Sequence, residues 1–169
     1  MNENFPSNKN KFHKIPKMFY VKCAYTFSFA YDVHLTSYIV HVMILPHLFI
    51  APAEKMGRGV FTSGSIEPGV VVEISPVIVM TAEERLLLDK TLLHDYIFEW
   101  GGNKNQCCMA LGYVPLYNHS YGSNCEYEMD FDNELISVKT VRHIREGEEL
   151  YINYNGDWNN GKKVWFDAG

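Results

Sequence analysis

Three short stretches of the sequence contain residue types that could bind a ligand or carry out a reaction. Residues 57–59 read Gly-Arg-Gly, in which two glycines let the backbone approach a ligand without a Cβ in the way. Residues 118–120 read Asn-His-Ser and follow an apolar run, with Asn124 close behind. Tyr154 ends the stretch EELYINY at residues 148–154. Taken alone, each stretch has an ordinary explanation, namely a hairpin turn, a polar turn and a core tyrosine with a satisfied hydroxyl.

The Asn-His-Ser stretch admits further interpretations. It matches the N-glycosylation sequon, but the chain shows no secretion signal. A zinc site built from His119 and Cys125 would need two further ligands, and none is close in sequence. The Gly-Arg-Gly stretch does not fit a dinucleotide-binding motif, because Thr62 occupies the third glycine position and no predicted helix follows. A polar turn is the default for the isolated tripeptide.

The elements that must position these residues are mostly short strands. The sequence predicts strands in residues 44–53 and 95–100 and several short strands in 56–80. It also predicts a buried run in residues 107–117, a Gly turn and a last strand in 144–158, and a hairpin that pairs residues 124–131 with 134–141 across Asp132-Asn133. Thr81 and Glu84 form a capping-box pattern, which predicts that the main helix begins there. Because the strands are too close together for helical crossovers between them, we expect a mainly β, α+β fold.

Charge is distributed unevenly along the 169 residues. The net charge is −5, while residues 1–45 carry five lysines against Glu3 and Asp32, about +3, which leaves about −8 for the rest. An acidic domain repels the nucleic acid backbone and favours basic partners such as lysine-rich tails, although acidity also serves solubility. The four cysteines form no C-x-x-C pair, which favours reduced thiols in a cytoplasm-like compartment.

Composition also divides the chain. Residues 1–42 lack the regular pattern that begins near Met43, so we expect an N-terminal extension or an over-long start assignment at 1–42, a compact domain at 43–160 and a tail at 161–169. Residues 35–53 carry no formal charge and are long enough to span a bilayer, but proline and histidine interrupt them. A membrane-tethered interaction domain would rest on this segment alone, and we expect no membrane association.

Three motifs in order, GRGVF, NHS-x-x-x-N and GEELYINY, resemble the SET domain of protein-lysine methyltransferases over about residues 46–158. The stretches LLHDYIFEW, MALGYVPLYNHS and NYNGDW are similar to the small SET-only type, such as the histone methyltransferase of chlorella viruses. The resemblance implies a SET fold, with several short curved sheets, a pseudoknot core and one main helix. It also implies S-adenosyl-L-methionine as cofactor and methyl transfer to a protein lysine, including a histone tail. The chain lacks the cysteine clusters of SET proteins with zinc knots, so no metal is expected.

The resemblance assigns roles to particular residues. Tyr154 corresponds to the catalytic tyrosine. The residues expected at the cofactor are Gly57, Arg58, Gly59, Tyr117, Asn118, His119 and Trp158, and those expected to line the substrate channel are Tyr96, Tyr113 and Tyr154. This chain departs from the common pattern at three positions: Pro115 stands where many members have Arg, Ser123 where many have Pro, and Asn153 where Asp is commoner.

The expected partner is a basic, lysine-containing protein or peptide, with histone-like proteins as one class and no direct nucleic acid binding. Analogy with the viral relative suggests a homodimer. Cytoplasmic localisation is expected, or nuclear if the source is eukaryotic or viral. The alternative function is a catalytically weak SET-derived module that binds cofactor or a basic tail without turnover.

Overall fold

The computed structural model describes residues 42–54 and 56–164. The predicted extension at residues 1–42 therefore lies, apart from Val42, outside the described residues, as does the tail beyond Val164. Within the described ranges the chain forms ten strands, one α-helix and two 3-10 helices. The strands are β1 Met43–Ile44, β2 Leu48–Pro52, β3 Arg58–Thr62, β4 Val71–Met80, β5 Phe98–Trp100, β6 Gln106–Ala110, β7 Asn118–His119, β8 Cys125–Asp130, β9 Leu135–Thr140 and β10 Glu149–Ile152. Helix α1 spans Ala82–Leu88, and the 3-10 helices span Leu92–Tyr96 and Val114–Leu116.

The described strands form two sheets. The larger has the order β5-β6-β4-β9-β8, with β1 also paired to β4, and the smaller has the order β2-β3-β10-β7. Strands β10 and β7 pair in parallel, with Tyr151 opposite Asn118 and Ile152 opposite His119. This pairing brings two segments that are about thirty residues apart in sequence into direct contact.

The apolar core draws on both sheets. Val60 and Leu150 from the smaller sheet and Val72, Ile136 and Val138 from the larger are fully buried in the same cluster. Helix α1 has no buried residue, so it contributes little to this core. No helix in the part of the chain that the structure describes is long and apolar enough to cross a bilayer.

The main helix and the hairpin confirm the sequence prediction. The Thr81 side chain accepts a hydrogen bond from the Glu84 backbone N–H, and the Glu84 carboxylate accepts one from the Thr81 N–H, as a capping box requires. Strands β8 and β9 pair in antiparallel register from Cys125 opposite Thr140 to Asp130 opposite Leu135.

Two predicted strands were wrong in extent. The strand expected at residues 44–53 is divided into β1 and β2 by a turn at Pro46, whose missing N–H cannot continue a ladder. The strand expected at residues 95–100 begins only at Phe98. Thr91 caps a 3-10 helix instead, because its side chain accepts a hydrogen bond from the Leu93 N–H, and this turn extends to Tyr96.

Candidate active site

The Gly-Arg-Gly stretch lies at the start of β3 and in contact with β10. Gly57 has a φ of +71°, a left-handed conformation that favours glycine. A Cβ on Gly59 would overlap the Glu149 carboxylate and lie 3.0 Å from Asn118 Nδ2. Glycine at position 59 therefore lets the β3 backbone, the Glu149 carboxylate and the Asn118 amide meet.

Asn118 is fixed at this meeting point by its own amide nitrogen. Nδ2 donates to Glu149 Oε1 at 2.7 Å and to the Arg58 carbonyl at 3.3 Å. A glycan would be attached to this nitrogen, and Asn118 is only 8% exposed, so the sequon is not a glycosylation acceptor. Nor is it itself the predicted polar turn, since Asn118 and His119 form β7 and lead into a turn at residues 121–122. Among the described residues the Asn118 side-chain oxygen has no hydrogen-bond partner, which leaves it able to accept a hydrogen bond from a ligand.

Asn124 joins the same turn to the last strand. Its Nδ2 donates to the Glu149 carbonyl at 2.7 Å, and its Oδ1 accepts from the Tyr151 N–H at 2.7 Å. Asn124 is almost fully buried, so both bonds are shielded from water. Together with the parallel pairing of β7 and β10, they fix the turn against the strand that leads to Tyr154.

Tyr154 is held by residues 117–119 at two points. Its hydroxyl donates to the Tyr117 carbonyl at 2.9 Å, and its backbone N–H donates to His119 Nδ1 at 3.2 Å. Burial lowers the pKa of His119, so the imidazole is neutral and Nδ1 can accept this bond. Burial, with smaller contributions from Asp95 and Tyr96, raises the pKa of Tyr154 to about 12. The hydroxyl therefore stays protonated at neutral pH.

A cavity of about 670 Å³ opens beside Tyr154. Aromatic and apolar side chains form part of its wall, namely Tyr96, Phe98, Val114, Pro115 and Tyr127. Charged residues, including Asp95, Glu99, Lys162 and Lys163, also line it. The cavity has the mixed lining expected of a site that holds an aliphatic side chain with a polar end.

The structure brings two of the three predicted channel residues, Tyr96 and Tyr154, together in this cavity, but not the third, Tyr113. Of the described residues that line the cavity, neither Tyr113 nor Trp158 is one. Tyr113 packs half-buried against the core, and Trp158 is 42% exposed. The Tyr117 side chain is buried in the core cluster, so Tyr117 offers the site its backbone carbonyl rather than its ring.

Comparison with known proteins places this geometry in a family. Residues 57–155, more than half of the chain, match the SET domain family. Over 121 residues the chain is 35% identical to a histone-lysine N-methyltransferase of Schizosaccharomyces pombe described as specific for lysine 37 of histone H3, covering 71% of this chain and 77% of that protein. The chain belongs to the SET-domain protein-lysine methyltransferase family.

A solved structure agrees with the SET assignment. The chain is similar to a candidate histone methyltransferase of Plasmodium falciparum, with 30% sequence identity and a TM-score of 0.53, covering 68% of this chain and 98% of that one. The predicted SET fold class and protein-lysine methyltransferase activity are therefore confirmed at the level of the family. The particular likeness to the chlorella virus type stays a prediction.

Two of the positions where this SET domain departs from the common pattern form hydrogen bonds that the commoner residue could not form. Asn153 Nδ2 donates to the Asn160 carbonyl at 2.8 Å and to the Tyr121 carbonyl at 3.4 Å. The Ser123 N–H donates to the Trp158 carbonyl at 3.1 Å. Aspartate has no N–H to donate from its side chain, and proline has none on its backbone.

Sequence reasoning missed two buried carboxylates of the SET domain. Glu73 is fully buried on β4 and accepts hydrogen bonds from the Ser75 hydroxyl and from the Tyr113 and Val114 N–H groups. Burial raises its pKa in spite of these donors. Glu149 contacts Gly59 and Asn118 as described above. Glu73 stands in an otherwise apolar strand pattern, VVVEISPVIV, and a lone carboxylate in such a run is the signal that could have identified a buried, hydrogen-bonded group. Glu149 directly follows Glu148 and gives no such signal.

Proposed function

We propose that this SET protein transfers a methyl group from S-adenosyl-L-methionine to a lysine side chain of a basic protein, with histones as the leading substrate class. One observation carries the proposal. Tyr117 and Asn118 are consecutive residues, yet the Tyr117 carbonyl binds the Tyr154 hydroxyl at the cavity while the Asn118 amide binds Glu149 and the Gly-Arg-Gly backbone. A single peptide unit thus separates the proposed lysine site from the proposed cofactor site, and a two-substrate transfer has to bring these two sites together.

The cofactor would lie against residues 57–59 and residues 118–119. Asn118 Oδ1, which has no partner among the described residues, fits an ammonium donor such as that of the methionine portion. Arg58 is exposed and forms no ion pair within the described ranges, so its guanidinium could bind the carboxylate in place of the Arg that Pro115 replaces. When bound, S-adenosyl-L-methionine supplies an electrophilic methyl group on a sulfonium sulfur. Tyr117, His119 and Trp158 complete the proposed cofactor set, with Tyr117 contributing backbone only.

The lysine substrate would enter the cavity beside Tyr154, with Tyr96 as part of its wall. The amine must be neutral to attack, while a free lysine has a pKa near 10.4, so the site has to favour the neutral form. Partial burial among aromatic side chains does so. Because the Tyr154 proton is committed to the Tyr117 carbonyl, the hydroxyl oxygen can accept a hydrogen bond from the amine and orient its lone pair. Tyr154 therefore positions the amine and is not a general base.

The proposed class of partner is inferred from the net charge of the chain and from the name of a similar protein. The acidic chain, with a net charge of −5, favours lysine-rich proteins. The fission yeast relative is named for a histone lysine, which makes histones the first class to test and the nucleus the expected location if the source has histones there. A homodimer is part of the proposal only by analogy with the viral relative.

Incubation with isotopically labelled cofactor and a panel of histones and other basic proteins tests the proposal. We expect transfer to a lysine in the wild type and about a hundredfold lower kcat/KM in Tyr154→Phe, the scale of loss that follows misplaced reactants. Tyr127→Phe is the matched control, since it removes a cavity hydroxyl whose bond to the Tyr154 carbonyl is long, at 3.5 Å, and it should lose far less. Calorimetric binding of S-adenosyl-L-methionine with no methylated product would favour the non-catalytic module instead.

A further inference from the structure

Residues 155–164, here called the C-terminal strap, form one side of the cavity that contains Tyr154. Asn155, Gly156, Asn160, Lys162 and Val164 all line it. The position of the strap therefore sets the width of the space that the proposed function assigns to the lysine substrate. Any contact that fixes the strap also fixes one wall of that space.

Hydrogen bonds hold the strap to the domain. Asn153 provides three of them: its Nδ2 donates to the Asn160 carbonyl at 2.8 Å, its Oδ1 accepts from the Asn155 N–H at 3.0 Å, and its carbonyl accepts from the Gly156 N–H at 2.9 Å. At the far end of the strap the Val164 N–H donates to the Tyr121 hydroxyl at 3.3 Å. Ser123 adds another attachment, because its N–H donates to the Trp158 carbonyl at 3.1 Å. Its hydroxyl lies 3.1 Å from the same carbonyl but donates at 2.7 Å to the Cys125 carbonyl.

Burial contributes little to holding the strap. Residues 157–159 and 161–163 are exposed, including the Trp158 side chain at 42%. Asn153, by contrast, is completely buried and Ser123 is 2% exposed. The strap is therefore a surface segment attached through buried polar side chains, and the loss of a buried donor is costly because it leaves carbonyl groups unpaired.

The strap also has internal bonds that keep it in one shape. Asn155 Nδ2 donates to the Lys162 carbonyl at 2.6 Å, and Asn160 Oδ1 accepts from the Lys162 N–H at 3.0 Å. These bonds join the asparagine side chains and backbone of the strap to one another, and the Asn153 amide connects them to the buried part of the domain. Within the described residues no group of three or more His, Cys, Asp or Glu side chains could hold a metal ion to do the same task.

We propose that Asn153 and Ser123 are positioning residues that lock the C-terminal strap over the substrate cavity, so that peptide affinity depends on these two hydrogen-bonding side chains. The residues commoner in the family at these positions would unlock it. Aspartate at 153 would place carboxylate oxygen against the Asn160 and Tyr121 carbonyls, and proline at 123 would remove the N–H that donates to the Trp158 carbonyl. This inference rests on the proposed function for its kinetic consequence, but not for its structural one.

The test compares Asn153→Asp with Asn159→Asp, which introduces the same charge into the strap at an exposed residue without hydrogen-bond partners among the described residues. Hydrogen exchange followed by mass spectrometry measures the strap directly, and steady-state kinetics measure the peptide KM. We expect Asn153→Asp to speed exchange at residues 155–164 and to raise the peptide KM about tenfold, the factor that a lost buried hydrogen bond corresponds to. The value of kcat should change less than KM. Asn159→Asp should change neither measurement.

Ser123→Pro provides a second variant outside the Tyr154 segment, and it decides the matter if Asn153→Asp does not fold. If neither variant speeds hydrogen exchange at residues 155–164, the proposal that these side chains hold the strap is overturned. The proposal is also overturned if exchange is faster but the peptide KM is unchanged, or if only kcat falls. If the wild type methylates nothing, the proposed function fails, while the exchange measurement still shows whether the two side chains hold the strap.

Discussion

At the scale of single residues, the site depends on the absence of a side chain at Gly59. The Glu149 carboxylate occupies the space in which a Cβ of Gly59 would stand, and Asn118 Nδ2 lies 3.0 Å from it. We expect Gly59→Ala to cost about 2 kcal/mol of stability through overpacking, and to weaken S-adenosyl-L-methionine binding because Asn118 must shift. Thermal unfolding and calorimetry measure the two effects.

Gly64→Ala is the matched control for Gly59→Ala. A Cβ there meets nothing within 4 Å, and the change should alter stability by less than about 0.5 kcal/mol. Equal effects from the two substitutions would mean that the contact among Gly59, Glu149 and Asn118 does not matter to the site.

The pKa of Tyr154 makes a second prediction at the residue scale. Burial raises this pKa from its ordinary value near 10 to about 12, so the hydroxyl keeps its proton as pH rises through 10. The neutral fraction of the substrate amine increases about tenfold per pH unit below about 10.4. We therefore expect kcat/KM to rise from pH 7 toward pH 10, without loss from tyrosine ionisation. A decline with an apparent pKa near 10, in protein shown by circular dichroism to be folded, would contradict this.

At the scale of elements, the pairing of β7 with β10 depends on one buried amide. Asn124 accepts from the Tyr151 N–H and donates to the Glu149 carbonyl, each at 2.7 Å. Asn124→Ala leaves both backbone groups unpaired, so we expect it to cost about 2–4 kcal/mol of unfolding free energy and to reduce activity. Asn133→Ala is the control, because the Asn133 side chain bonds Asp130 in an exposed turn. It should cost less than about 1 kcal/mol in the same denaturant titration. Similar losses in both would indicate that β10 is held by its ladder alone.

Elements with a local signal could be predicted from the sequence, and those fixed by distant contacts could not. The capping box at Thr81 and the alternation across Asp132-Asn133 act within a few residues, and both elements formed as expected. The parallel pair of β7 and β10 joins segments about thirty residues apart, and no local pattern specifies it. The Tyr117 ring shows the same limit, because it is buried in a core cluster whose other members come from distant strands. The order of the three motifs along the sequence identified the segments that form the site. The orientation of each side chain depends on contacts made in the folded domain, so it could not be predicted from the sequence.

At the scale of the whole molecule, net charge should govern how fast a basic substrate arrives. The chain carries −5 overall, and residues 46–169 carry about −8 once the lysine-rich start is set aside. Salt screens such a field, since the Debye length falls from about 30 Å at 0.01 M to about 3 Å at 1 M. We expect kcat/KM for a lysine-rich peptide to fall about tenfold or more over this range, because steering acts on association.

The matched substrate for this measurement is a peptide of the same length in which the residues flanking the target lysine are glutamine. Its kcat/KM should change much less with salt, since the single lysine retains only a small part of the attraction. The cavity itself carries charges of both signs, since Lys162 and Lys163 from the strap and Asp95 and Glu99 all line it. Attraction from the cavity alone would therefore be weak. Equal salt dependence for the two peptides would locate recognition in that cavity and remove the role assigned to the overall acidity of the chain.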